Sequence, residues 1–374
     1  MPRFHWLILL LGLVLEQCSS ADHNCPMACR CDESTSQITC EGPLVVTLPD
    51  RLPSGFETLI FRNTSIRAIE KNSFRKMDRL ITIEFISNPH LSTIEKMAFK
   101  GLKKLRLLHF DGCRELTQLE KNAFAGIANQ MGLKIIFENT PIHRIDGMAF
   151  RNAQNIRELS ISGQDLALSR HCFANIHQLD FLTISGVVLI EPEIFTNSTR
   201  FHIVHIKNSN FDIPPNTFSS LSHVSHLLIE HSTIASIAPD AFTGLSTIQI
   251  IELHKNRLGT ISARAFANVE NFGELKLVRN TIGELDTSES IFSKALKLRV
   301  EENTVECNCS LKWMTSIEEM SDENFCSISA SSRSIRSFIK AKCQQKVRTS
   351  QQPISTSSIP SILGAFFLVL IRLF

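Results

Sequence analysis

Residues 248–266 read IQIIELHKNRLGTISARAF, and the spacing of the apolar residues in this stretch decides the fold. Counting from Ile248, apolar side chains fall at positions 1, 4, 6 and 11 (Ile248, Ile251, Leu253, Leu258), an asparagine stands at position 9 (Asn256), and Ile261 and Phe266 follow. Ile251 and Leu253 are two apart, the period at which a strand sends side chains to one face, so Glu252 and His254 point to the other. A strand that short cannot hide its apolar face alone. The pattern implies a unit of strand, turn and return that becomes stable only when neighbours stack and share one core.

The unit recurs along the chain. Phe272, Leu275, Leu277, Asn280 and Ile282 repeat it, as do Leu80, Ile83, Phe85 and Asn88. Phenylalanines preceded by a small or aliphatic residue return at 74, 99, 124, 150, 173, 195, 218, 242, 266 and 292, a spacing of 22 to 26 residues. Eleven strand segments are expected, beginning near Phe56, Leu80, Leu105, Gly132, Ile156, Leu179, Phe201, Val224, Ile248, Phe272 and Ala295. Side by side at about 4.8 Å, they would span an arc of about 50 Å.

Position 9 should supply a side chain that bonds backbone groups between neighbouring turns, groups otherwise buried without partners. Asn88, Asn256, Asn280 and Asn303 keep asparagine, while Thr64, Cys113, Thr140, Gln164, Ser209 and Ser232 replace it. Cys113 is therefore expected as a buried ladder residue, and Cys172, beside Phe173, as buried too. Val187 has no polar atom to offer, which marks 179–200 as the expected irregular repeat.

The ends point to export. Arg3 followed by the apolar run Trp6 to Leu15, then Ser19 and Ala21, has the layout of a cleaved signal peptide. Of 11 cysteines, Cys18 falls in that segment; Cys25, Cys29, Cys31 and Cys40 cluster at the start, and Cys307, Cys309, Cys326 and Cys343 near the end. Even-numbered clusters behind a signal peptide read as disulfides of an oxidising compartment, in preference to a zinc site. Sequons at Asn63, Asn197 and Asn308 are candidate glycan sites. After Cys343 a polar stretch, 344–358, leads into the apolar tail 359–374 (IPSILGAFFLVLIRLF). Sixteen residues including Pro360 and Arg372 make a poor spanning helix. A removable tail for a lipid (GPI) anchor attached near Ser355 is the first expectation, with a minimal transmembrane anchor and a soluble product as alternatives. The net charge of +2, with no run of Lys or Arg, argues against a nucleic-acid partner.

These residues resemble a known group, the extracellular leucine-rich-repeat proteins with cysteine-rich caps. Cys25-Pro26-Met27-Ala28-Cys29-Arg30-Cys31 and Cys40, followed by Leu48-Pro49, look like the N-terminal cap of that group. Asn303, Cys307-Asn308-Cys309-Ser310-Leu311-Lys312-Trp313, Cys326 and Cys343 look like its C-terminal cap. The resemblance implies an α/β-type leucine-rich-repeat solenoid with a curved parallel sheet on its concave face, irregular or short helical return segments, and disulfide-capped ends. It also implies the pairings Cys25–Cys31, Cys29–Cys40, Cys307–Cys326 and Cys309–Cys343, which the residues alone leave open among three connectivities per cluster, with Trp313 packed on the last repeat. The organisation expected is a signal peptide over 1–21, an N-terminal cap over 22–55, repeats over 56–302 with the last running into a C-terminal cap over 303–343, then the linker and tail. The layout is similar to that of lipid-anchored co-receptors such as the Nogo receptor. Several middle repeats also resemble the hormone-binding ectodomains of glycoprotein-hormone receptors, but the seven-helix domain of those receptors is not in this sequence.

If positions 4 and 6 point inward, positions 3, 5, 7 and 8 make the outward face of the sheet. The N-terminal third then shows Arg62, Glu84, His109, Asp111 and Glu138, and the middle the uncharged Ser160, Ser162, Phe181, Thr183 and Ser185. Further on it is dense in charge: His205, Lys207, His226, Glu230, His231, Glu252, His254, Lys255, Lys276, Arg279 and Arg299. The candidate partner-binding residues are the first ten of these. The four histidines among them read either as a pH-responsive or metal-assisted contact or as a solvated polar face. A wide strip of mixed charge suits a protein partner better than a small molecule. No cofactor or bound metal is expected. No Gly-x-Ser-x-Gly, His-Glu-x-x-His or phosphate loop occurs, so no catalytic residue is assigned. The leading expectation is a cell-surface protein on the extracellular face of the membrane, acting in adhesion, recognition or as a co-receptor for a transmembrane partner. The alternative is a structural organiser of extracellular matrix or cuticle, which can be shed.

Overall fold

The computed structural model describes residues 25–285, 295–328 and 331–343. The signal peptide, Cys18, Phe292, the polar linker, Ser355 and the apolar tail lie outside these residues.

All eleven expected strands are present in one long sheet, from Thr58–Arg62 through Thr82–Ile86 and Leu107–Asp111 to Asn271–Val278 and Lys297–Glu301. Every neighbouring pair among them is parallel. An antiparallel hairpin, Cys29–Asp32 with Gln37–Glu41, opens the sheet, and Glu319–Met320 closes it. The position 4 and 6 pairs, such as Leu59 with Phe61, Ile83 with Phe85 and Ile251 with Leu253, are fully buried in every strand but the last, where Leu298 is partly buried. Each large apolar side chain so buried contributes roughly 1.5–3 kcal/mol, and none is buried without its neighbouring unit.

The return-side phenylalanines form a continuous stack from Phe74 to Phe266, ring upon ring in consecutive repeats. In the first repeats a second stack runs beneath the long sheet. Its steps, Phe61–Phe85 at 5.1 Å, Phe85–Phe110 at 5.2 Å and Phe110–Phe137 at 4.9 Å, are each shorter than the matching return-side steps of 5.5, 5.7 and 5.0 Å. The wedge is thus wider on the return side, and the long sheet lies inside the curve.

The return segments carry more regular structure than irregular or short helical connections would. In the second half, Asn210–Ile213, Thr233–Ile237, Arg257–Ile261, Thr281–Leu285 and Thr304–Glu306 build a second parallel sheet. The alternation test fails there for a visible reason: the buried residues, Ile234 with Ile237 or Leu258 with Ile261, are three apart rather than two. Among the described residues the only α-helix is the short Ile335–Phe338.

The position 9 ladder forms with two departures. Asn280 Nδ2 donates to the Leu253 carbonyl at 2.7 Å, and its Oδ1 accepts the Asn256 N–H at 2.9 Å. Asn303 does the same one step on, and Asn324 ends the ladder with its Oδ1 on the Asn303 N–H at 2.9 Å. Ser232 and Ser209 continue it backwards to the Val187 N–H, which donates to Ser209 Oγ at 3.0 Å. Gln164 is the first departure. It is exposed, because the turn after Ser162 is longer and brings Leu166, not Gln164, level with Val187. The second concerns the expected irregular repeat: strand Gln178–Ile190 pairs with Arg200–Lys207 without a slip, but against Gln154–Leu168 the register shifts twice, at Ser162–Leu166 of the earlier repeat and at Val187–Leu189 of the expected one. Gly186, at φ +73°, shows how tight this place is, since a Cβ there would stand 2.2 Å from the Gly163 carbonyl oxygen.

The cysteines pair as Cys25–Cys31, Cys29–Cys40, Cys307–Cys326 and Cys309–Cys343. Trp313 packs against the core at that end. Cys113 and Cys172 are free and buried. Cys113 serves in the ladder, its N–H donating to Thr140 Oγ1 at 3.2 Å, and burial pushes its thiol up to about 12. Burial likewise raises Cys172, so neither offers a thiolate at neutral pH.

Candidate functional site

The outward face of the long sheet is read most simply along its registers. Position 5 runs His205, Leu228, Glu252, Lys276, Arg299 and Glu319 on successive strands. Because adjacent strands place equivalent residues side by side, charges about 24 residues apart in sequence become neighbours.

They pair. Glu230, on strand His223–Glu230, sits between two histidines from the strands on either side: His205 Nε2 donates to its Oε1 at 2.9 Å, and His254 Nδ1 lies 3.5 Å from Oε2. Glu252 is approached by His226 Nε2 at 3.2 Å and Lys276 Nζ at 3.8 Å. Glu274 then joins Lys276 at 3.9 Å to Arg299 at 3.4 Å, and Arg299 reaches Glu319 at 3.3 Å. The result is two interleaved groups of alternating charge, His205–Glu230–His254 and His226–Glu252–Lys276–Glu274–Arg299–Glu319, which together cross six strands. Their members are mostly covered, with side-chain exposures of about a fifth for His205, Glu230, Glu252 and Lys276.

That covering sets the electrostatics. Burial alone would push Glu230 up, but the hydrogen bond from His205 and the fields of His205, His231 and His254 outweigh it and hold the carboxyl below its usual range. For His226, burial is the largest influence and lowers it, aided by Lys276 and His205 and opposed by Glu252. The histidines alternate with carboxylates instead of converging on a point, and among the described residues no three His, Cys, Asp or Glu side chains are arranged to hold a metal ion.

Four of the ten candidates stand differently. Lys207 ends its strand half-buried and, among the described residues, without an ion pair. His231, Lys255 and Arg279 occupy the left-handed turn after each strand, at φ 50°, 53° and 56°, and project exposed from the rim. Arg279 grips Glu302, Nε to Oε2 at 2.9 Å and Nη2 to Oε1 at 3.1 Å. Towards the N-terminus the same face is sparser. His109 lies 3.7 Å from Glu84 and 3.6 Å from Glu138, and Asp111 accepts from Asn139 at 2.8 Å. Between the two zones Ser160, Thr183 and the Ser162–Ser185 hydroxyl pair (3.3 Å) leave the surface uncharged. There Phe181 is 39% exposed, with the partly open Ile203 beside it; His226 follows at that register, and the partly open Leu228 and Ile250 lie among the charges beyond. The sequence pointed to Phe181 but not to these other apolar residues.

The glycan candidates Asn63 and Asn197 are exposed on turns. Asn308 is also exposed, and its Oδ1 caps the turn of Cys309–Ser316 by accepting the Ser310 N–H at 3.0 Å.

Two stacked registers, a polar ladder and disulfide-bonded ends define a leucine-rich-repeat solenoid. Residues 67–200 and 166–299 match the BspA type leucine rich repeat region in six copies, and the chain belongs to that family. A stretch of 88 residues is 33% identical to leucine-rich repeat-containing protein 15 of Homo sapiens, covering 24% of this chain and 15% of that protein. The matched stretch is therefore a small part of the relative. Among solved structures, the chain is similar to a TLR13-ssRNA13 complex, with 17% identity, a TM-score of 0.47, and cover of 69% of this chain and 44% of the other. It is also similar to a chain of the octameric complex of Latrophilin 3 (Lec, Olf), Unc5D (Ig, Ig2, TSP1) and FLRT2 (LRR), with 17% identity, a TM-score of 0.46, and cover of 83% and 96%. These likenesses are too distant to speak about ligands.

Proposed function

We propose that the protein is a cell-surface recognition molecule that binds an extracellular protein partner through the outward face of the long sheet, in adhesion or as a co-receptor. The observation that carries this reading is the juxtaposition on strands 178–301 of an exposed Phe181 and partly open Ile203, Leu228 and Ile250 with two groups of alternating charge between His205 and Arg299. Protein interfaces combine such an apolar centre with charged surroundings that set register and orientation. The two charge groups are already self-paired, so they present an ordered pattern and need little further ordering on binding.

Placement outside the cell is part of the same proposal. It is supported by four disulfides, which persist in oxidising compartments, and by the exposure of Asn63, Asn197 and Asn308 for glycosylation. Attachment through a lipid near Ser355, in the manner of the Nogo receptor, or through a short spanning tail, completes it, with a transmembrane partner carrying any signal inward. The test is a binding screen of the secreted chain, displayed as a multimer against secreted and surface proteins, itself and matrix polymers. A discrete protein hit that is lost when His205, His226, His231 and His254 are replaced by Ala supports the proposal. Binding to matrix polymers alone would replace it with the matrix-organiser reading.

A further inference from the structure

We propose that the return face of the first three repeats binds a sulfated polysaccharide chain. This site lies away from the long-sheet face; it rests on the extracellular placement proposed above but not on that face binding a partner.

The first repeats are 25 residues apart, as Phe74, Phe99 and Phe124 show, so residues at that interval stack. Lys71, Lys96 and Lys121 form one column, Arg75 and Lys100 a second, and Arg79 and Lys104 a third. Lys76 and Lys103 fill the spaces between them, Arg106 stands at the edge where the chain enters the long sheet, and all of these side chains are exposed. The rows are spaced as the rings beneath them, at 5.5 and 5.7 Å. On the two turns 70–79 and 95–106, nine cations face three carboxylates, Glu70, Asp78 and Glu95. One of those carboxylates is occupied elsewhere, since Glu95 Oε2 accepts the backbone N–H of Lys71 at 2.9 Å. Among the described residues none of these cations stands in an ion pair, in contrast to the paired charges of the sheet face, from His205–Glu230 to Arg299–Glu319.

A chain of net charge +2 that concentrates so much unneutralised charge on two turns has a local field suited to a polyanion. Three features choose its class. The grid carries no exposed aromatic or large aliphatic side chain, which removes the stacking platforms used for single-stranded nucleic acid and the apolar wedge used for membranes. Its columns run along the solenoid axis, so a linear ligand with a negative group every few ångströms meets a cation at each step. The disulfides belong to an oxidising compartment, where sulfated polysaccharides are the linear polyanions at hand. An open hollow bounded by Arg51, Arg75 and Lys76 extends the basic surface toward the N-terminal cap.

The test uses the full secreted chain and immobilised heparin, with O-desulfated heparin, single-stranded DNA and phosphatidylserine vesicles as further probes. Replacing Lys96, Lys100, Lys103 and Lys104 by Gln should lower heparin affinity on the order of tenfold or more, and flatten its dependence on salt. Replacing Arg200, Arg257, Lys312 and Lys340 by Gln removes the same charge elsewhere and should change it little. All eight side chains are exposed, so thermal unfolding of both variants should match the parent. Weak or absent binding of the parent to heparin would overturn the proposal. So would equal losses in the two variants, undiminished binding to O-desulfated heparin, or equal affinity for DNA or vesicles.

Discussion

The two halves of the solenoid solve the same stacking problem with different chemistry. In the first repeats the core beneath the long sheet is aromatic, Phe61, Phe85, Phe110 and Phe137 standing ring on ring, and the ladder is mixed, with Asn88 alone among Thr64, Cys113 and Thr140 at position 9. In the later repeats the core is aliphatic, Ile229, Leu253 and Leu277, while the ladder is a run of asparagines and a second sheet forms on the return side. The charges are exchanged as well. The turns 70–79 and 95–106 leave their cations out of ion pairs, whereas the sheet face between His205 and Arg299 pairs most of its charges. Packing therefore holds the first half and backbone satisfaction holds more of the second, and each half keeps a different face available for a ligand.

Substitution at matched positions sharpens that contrast. Phe110 touches three rings, Phe85, Phe137 and Phe99, and Phe110→Ala should cost about 4 kcal/mol in chemical unfolding, against about 3 kcal/mol for the equivalent Leu253→Ala. The reverse order would mean that the aromatic stack adds nothing. In the ladder, Asn280→Ala strands the Leu253 carbonyl and the Asn256 N–H and should cost about 3 kcal/mol, whereas Thr140→Ala should cost about 1 kcal/mol. Equal losses would contradict a ladder that matters more in the second half.

The smallest effect is on pH. His226 is held below its ordinary value, so the folded chain takes up this proton less readily than the unfolded chain does. Its contribution is intact above about pH 6.5 and stability declines as pH falls below that value. His226→Gln should reduce the loss of stability between about pH 7 and pH 5.5. An unchanged pH profile would show that His226 titrates as it does in water. Glu230 acts lower down: held below the usual carboxylate range, it stabilises the fold above about pH 4.3, and that support is lost on further acidification.

Much of this was legible in the sequence. The strands were, because positions 4 and 6 keep the two-residue period in every repeat, and so was the ladder wherever the turn keeps its length. Gln164 was misplaced because the longer turn after Ser162 shifts the register, which a position count does not see. Val187 looked disruptive, yet it needs only an acceptor for its N–H, and Ser209 of the next repeat supplies one. The second sheet was hidden by buried residues three apart, and Asn324 by its place among the cap cysteines, although its distance of 21 residues from Asn303 was a usable signal. The basic grid was invisible as a run, because its members lie 25 residues apart and meet only when the repeats stack. The charges from His205 to Arg299, Glu274 excepted, were identified as outward-facing, but their pairing into two groups depends on strand register.

The central claim is that the two faces serve different ligands, and the most direct measurement crosses them. The affinity of the protein partner captured in the screen is measured for the parent, for the variant with His205, His226, His231 and His254 replaced by Ala, and for the variant with Lys96, Lys100, Lys103 and Lys104 replaced by Gln, with thermal unfolding run on all three. The account predicts that the histidine variant loses the partner while the lysine variant binds it as the parent does. Undiminished binding by a folded histidine variant would contradict it.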